Sequence, residues 1–154
     1  MDDSLKRPFA IALRYLGPRP RSEAELRLRL RRRGFDDEVI SSVLAELKAQ
    51  RLVDDVAFAQ FWRGNREHFS PRSRRLLEQE LRGKGVAPEV IAEVMAGLDD
   101  EIESRRAAER QARQLKGLDY HDFYKKLNAF LKRRGFDHDV VEHAINQVGK
   151  EVST

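Results

Sequence analysis

The chain has no cysteine, which excludes disulfides, thiolate metal sites and a cysteine nucleophile together and fits a reducing compartment. Aromatic residues make up only 8% of it, and β-branched strand formers are also sparse, so nothing favours a sheet. No apolar run approaches the roughly 18 residues of a membrane span, and the opening MDDSLKRPF lacks the hydrophobic core of a secretory signal. A cytoplasmic protein without membrane contact is expected. The glycines stand singly; Gly83-Lys84-Gly85 has neither the spacing nor the following Ser or Thr of a phosphate-binding loop. The histidines make no metal constellation: His138 and His143 miss the i,i+4 spacing that places two ligands on one helical face, and His68 and His121 fall at helix boundaries. Asp54-Asp55, directly before VAFAQFW, read as helix caps rather than paired catalytic carboxylates. No catalytic, cofactor-binding or metal-binding residue emerges, so no enzyme is expected.

What is present is charge and helix formers. Charged residues account for 36% of the 154 residues and hydrophobic ones for 40%, with Leu, Arg, Glu and Ala prominent, a composition that predicts an all-α fold. The length suits one domain or a few small stacked units. A formal charge of +4 permits an acidic partner, nucleic acid or protein, without demanding one.

LRRRGF at residues 30–35 returns as LKRRGF at residues 131–136. Superimposing Gly34, Gly85 and Gly135 exposes a third copy, LRGKGV, and a repeat of about fifty residues. Four residues before each glycine stand Leu30, Leu81 and Leu131, and eight before stand Leu26, Leu77 and Leu127. Leucines four apart share one helical face, so each stretch reads as an amphipathic helix with cations on its other sides. The glycine then takes the left-handed C′ position, with Phe35, Val86 or Phe136 folding back on the last turn. Val86 and Gly83 make the middle turn the one expected to be weakly capped. Acidic stretches follow, at Asp36-Asp37-Glu38, Ala87-Pro88-Glu89 and Asp137-His138-Asp139, suiting the first turn of another helix.

A further helix precedes each pair, over residues 5–16, 55–66 and 101–115. The third of these lacks any counterpart of Phe58, Phe61 and Trp62, whose spacing marks a buried helix face. Starts of the basic helices are marked by Ser22 with Glu25, by Ser70-Pro71 and by Asp119. The expected organisation is three tandem three-helix repeats, at 1–52, 53–99 and 100–150, stacked into an elongated, curved body.

Charge alternates along these repeats. Residues 19–34 carry +5 and 36–47 carry −4; residues 70–85 carry +3 and 86–103 carry −6; residues 119–135 carry +3 and 136–148 carry −3. The helix dipole accounts for cations in a last turn, where each contributes about 0.3–1 kcal/mol. It does not account for Arg19, Arg21, Arg27 and Arg29, or for Arg72, Arg74 and Arg75 at a helix start. The candidate partner-binding residues are these seven together with Arg31, Arg32, Arg33, Lys84, Lys132, Arg133 and Arg134.

RSEAELRLRLRRRGF, VISSVLAELKAQRLVDDVAFAQFW, LEQELRGKGV and LKRRGFDHDVV, in that order and spacing, resemble the RecX family of bacterial regulatory proteins across almost the whole chain. The resemblance implies a non-enzymatic modulator of the RecA recombinase. Such a protein is all-helical and built of three three-helix repeats. It binds along the groove of the RecA filament on single-stranded DNA and inhibits ATPase, strand exchange and coprotease activity in recombination and the SOS response. A monomer with at most weak direct DNA contact is expected. The rival reading is a direct DNA-binding helical-repeat protein, since two helices joined by a glycine turn resemble helix-turn-helix geometry. Against it, the basic helix precedes the turn, and the helix that would enter the groove is acidic.

Overall fold

The computed structural model describes residues 1–152, which form nine α-helices and no strand. They are α1 (Asp3–Leu16), α2 (Glu23–Arg32), α3 (Asp37–Ala49), α4 (Asp55–Phe69), α5 (Arg74–Gly83), α6 (Pro88–Met95), α7 (Asp100–Gln114), α8 (Tyr120–Arg133) and α9 (His138–Val152).

The glycine turns join the second and third helix of each repeat. Gly34, Gly85 and Gly135 have φ of +91°, +78° and +89°, the left-handed region where a side chain is strained. Each turn closes a Schellman pair. In LRRRGF the Phe35 N–H donates to the Leu30 carbonyl at 3.2 Å and the Gly34 N–H to Arg31 at 3.0 Å. LRGKGV makes the same two bonds, Val86 to Leu81 at 3.1 Å and Gly85 to Arg82 at 3.0 Å. The expected weakness of the middle cap is therefore not observed: valine suffices because the motif bonds through backbone and needs only an apolar residue, and Val86 is buried.

Leu26, Leu30, Leu77, Leu81, Leu127 and Leu131 are all buried, as their four-residue spacing requires. Of the Val/Ile pairs after each turn, the second member, Ile40, Ile91 or Val141, is buried, and so are Leu44, Met95 and Ile145. Each such side chain stabilises the fold by about 1.5–3 kcal/mol, against about 0–1 kcal/mol for an exposed ion pair. The leucines, not the arginines, hold these helices in place.

By compactness the chain divides into two units, one of Met1–Trp62 with Glu80–Val94, the other of Arg63–Gln79 with Met95 onward. In the first, Ile11 and Ala12 of α1 close over Leu26, Leu30, Ile40, Val43, Leu44 and Leu47. In the second, α7 presents Ala107, Ala108 and Ala112 to Phe123, Leu127 and Leu131 of α8 and to Val141, Ala144, Ile145 and Val148 of α9. The aromatic residues missing from α7 are thus supplied by Phe123 and Phe136, and the alanines leave room for them.

Candidate partner-binding surface

In the first unit, Ser22 closes a capping box on α2. Its Oγ accepts the Glu25 N–H at 3.1 Å, and its own N–H donates to Glu25 Oε1 at 3.1 Å. The Ser22 hydroxyl also donates to the Lys84 carbonyl at 2.7 Å, and Asp55 Oδ1 accepts the Glu23 N–H at 2.9 Å. Ser22 is fully buried, and a Cβ on Gly85 would lie 2.4 Å from that of Ala24. The glycine turn at 85 therefore sits on the start of α2, with an aspartate completing the orphan amides there.

The second unit repeats this joint. Ser73 Oγ accepts the Leu76 N–H at 3.1 Å, the Ser73 N–H donates to the Arg134 carbonyl at 2.9 Å, and Asp100 Oδ1 accepts the Arg74 N–H at 2.8 Å. Ser73 is fully buried, and a Cβ on Gly135 would stand 2.4 Å from its Oγ. Ser73, rather than the expected Ser70-Pro71, starts this basic helix; Ser70 instead accepts Arg72 through its hydroxyl and carbonyl oxygens. Arg74 and Arg75, cations at a helix start where the dipole disfavours them, have acceptors within the chain. Asp100 holds the helix end, Arg74 pairs with Glu78 at 2.8 Å, and Arg75 donates to the Gly135 carbonyl at 3.1 Å.

The early cations of the first unit are engaged too. Arg19 pairs with Glu25 at 2.7 Å and lies over the Phe58 and Trp62 rings. Lys84 reaches Glu25 at 3.4 Å and stands over Trp62. Phe58 is core, as expected, but Trp62 is half-buried and donates its indole N–H to Glu80 at 3.0 Å. Burial pushes the Glu25 carboxyl upward. The Arg19 and Ser22 hydrogen bonds and the charges of Arg19 and Lys84 outweigh it, holding Glu25 below its ordinary value. Burial raises Asp55 above its own, despite the Glu23 amide.

Arg21 donates to the Tyr15 carbonyl at 3.0 Å, with its guanidinium 4.0 Å from the Tyr15 ring; Arg29 lies 5.0 Å from the same ring. Around Tyr15 run two shallow clefts, one lined by Arg29, Arg32, Arg82 and Lys84, the other by Arg14, Arg21, Arg29 and Arg33. Tyr15, Arg14 and Arg82 were not singled out from sequence. Arg82 lies in a last turn that the dipole explains, and nothing local marks Tyr15 as a platform for arginines six and fourteen residues on.

The last turns differ from the helix starts. Arg31, Arg32 and Arg33 are exposed, as are Lys132 and Arg133. Arg31 pairs with Asp37 at 3.0 Å in a solvent-exposed bridge, and Arg27 touches Ser41 Oγ at 3.4 Å. Arg134 lies over Phe130. Among the described residues no three His, Asp or Glu side chains group to hold a metal, and no helix is long and apolar enough to cross a membrane.

Nine helices among the described residues, three to a repeat and with a basic helix ending in a glycine turn in each, define a helical-repeat protein. Family models for the first, second and third three-helix domains of RecX match residues 9–47, 54–95 and 100–145. The chain is 34% identical over 147 residues to a protein named Regulatory protein RecX from Chlorobium phaeobacteroides, covering 96% of this chain and 97% of the relative. It is 37% identical to one of the same name from Chlorobium limicola, covering 96% and 92%. The crystal structure of RecX from Lactobacillus salivarius shares the fold, with a TM-score of 0.75 at 20% identity over 97% of this chain and 99% of that one. The chain belongs to the RecX family.

Proposed function

We propose that this protein binds the RecA recombinase filament on single-stranded DNA from the cytoplasm and restrains its ATPase, strand exchange and coprotease activity, acting as a monomer without catalysis of its own. The repeats at 1–52, 53–99 and 100–150 serve as its modules. The observation that supports this reading best is the RecX match in all three repeats, joined to exposed cations on the last turns of the first and third basic helices. Hydrolysis of ATP by the cognate RecA on single-stranded DNA should fall when the protein is added at or below stoichiometry. An unchanged rate, with no protein in the filament pellet, would remove the proposal.

Direct binding to DNA is the second reading, favoured by the cationic clefts around Tyr15. A direct binder meeting about six phosphates would show a log–log salt slope near −5 on naked duplex. The filament reading expects weak, shallow binding there.

A further inference from the structure

The glycine turn occurs three times, and two copies are used in the same way. The Lys84-Gly85 turn accepts the start of α2 through Ser22, and the Arg134-Gly135 turn accepts the start of α5 through Ser73. The third copy, Arg33-Gly34, has the same left-handed glycine and the same Schellman bonds. Yet beyond its two chain neighbours no residue comes within 4 Å of where a Cβ on Gly34 would stand. Arg32 and Arg33 beside it are exposed and make no ion pair among the described residues.

We infer that the Arg33-Gly34 turn is an unused copy of this joint and docks the N-terminal turn of a helix in a partner protein, one opening on serine or another small residue and carrying an acid in its first turn. The inference rests on the filament reading, where that partner is RecA. The two internal joints state the required chemistry. A small N-cap lets the glycine approach, its hydroxyl or amide donates to the carbonyl before the glycine, and a carboxylate from a further helix start, Asp55 or Asp100, accepts the first amide of the helix. In the first joint the acid three residues on, Glu25, also meets the cation preceding the glycine, Lys84; Arg33 holds that position in LRRRGF.

A second copy of this chain does not supply the donating helix start. Ser22 and Ser73 are engaged, and α8 begins a turn earlier, capped by Asp119, which puts buried Phe123 where the serine would be. DNA fits the arginines but not the turn. A backbone carbonyl is an acceptor, as is a phosphate oxygen, so the two repel where the internal joints place a donor.

Because the chain has no cysteine, Arg32→Cys and Arg133→Cys, at matching positions of the two motifs, each give a unique thiol for a benzophenone maleimide. Each labelled protein is irradiated on RecA filaments formed with ATPγS on single-stranded DNA, pelleted and mapped by mass spectrometry. The R32C label should attach to RecA in the first turn of a helix, and the R133C label should not. The charge reversal Arg32→Glu should weaken co-sedimentation by about tenfold or more, and Arg133→Glu, at the matching position, by much less. A DNA adduct, an adduct elsewhere on RecA, or no adduct with the labelled chain still in the pellet overturns the docking and leaves the filament reading standing. Equal losses from the two charge reversals do the same. Wild-type protein left in the supernatant overturns both.

Discussion

LRRRGF and LKRRGF fold alike and meet different neighbours. Gly34 turns in open space, whereas Gly135 presses on Ser73 and Leu76. The six residues fix a helix end; what the end does depends on whether another helix start is brought to it. A motif of this kind is a connector first, and it becomes available to a partner only where the chain's own joint is not made.

The largest expected contrast tests this directly. Gly135→Val adds a clash to backbone strain, since its Cβ would sit 2.4 Å from Ser73 Oγ and 3.0 Å from Leu76 Cβ. Left-handed strain costs about 1–2 kcal/mol and overpacking a further 1–3 kcal/mol or so. Gly34→Val should lose only the first. Urea unfolding followed by circular dichroism reads both, and equal losses would mean that the turn at 135 is not a tight joint.

Ser22→Ala should destabilise by about 1–2 kcal/mol and Ser73→Ala by about 1 kcal/mol. Both lose an N-cap, but only Ser22 donates its hydroxyl across the joint, leaving the Lys84 carbonyl without it. Thermal melts that rank them the other way would show that the Ser73 hydroxyl does more than cap α5.

Replacing Arg27, Arg31 and Arg33 together by Ala should weaken filament binding about tenfold, roughly 1.4 kcal/mol, with helicity intact. Loss of helicity instead would assign these side chains to the fold. The smallest effect separates the joints by charge. Glu25 has Leu76 at its matching position in the second joint, so only the first joint titrates through this position. The folded-state value of Glu25 is depressed; its stabilisation is therefore present above the ordinary carboxylate range and lost as pH falls through the lower folded value. Glu25→Gln keeps the capping geometry and should melt slightly below wild type at pH 7, with the difference vanishing under strong acid. A constant difference across pH would mean that the Arg19 and Lys84 pairings contribute nothing.

Most of the fold was legible in sequence because its signals are local. Ser22 with Glu25, Asp36, Asp54 and Asp119 each cap the helix they precede, and the leucine spacing names the buried face. Ser70-Pro71 misled because it has the local form of a helix start. Ser73 is distinguished by a bond to Arg134, sixty-one residues away. The candidate surface was less legible for the same reason. Arg74 meets Glu78 at the local i,i+4 spacing, but the Asp100 carboxylate on its backbone N–H and the Gly135 carbonyl on the Arg75 guanidinium are distant in sequence. Composition gave the cations but not their acceptors, and only tertiary structure separates engaged arginines such as Arg19 from exposed ones such as Arg32.

The central claim, that the exposed cations serve a RecA filament rather than bare DNA, is tested most directly by co-sedimentation with RecA-coated single-stranded DNA and with naked DNA at two salt concentrations. The account predicts tight binding to the coated strand that survives the higher salt and weak binding to naked DNA at both. Equal affinity for the two, falling together with a log–log slope near −5, would contradict it.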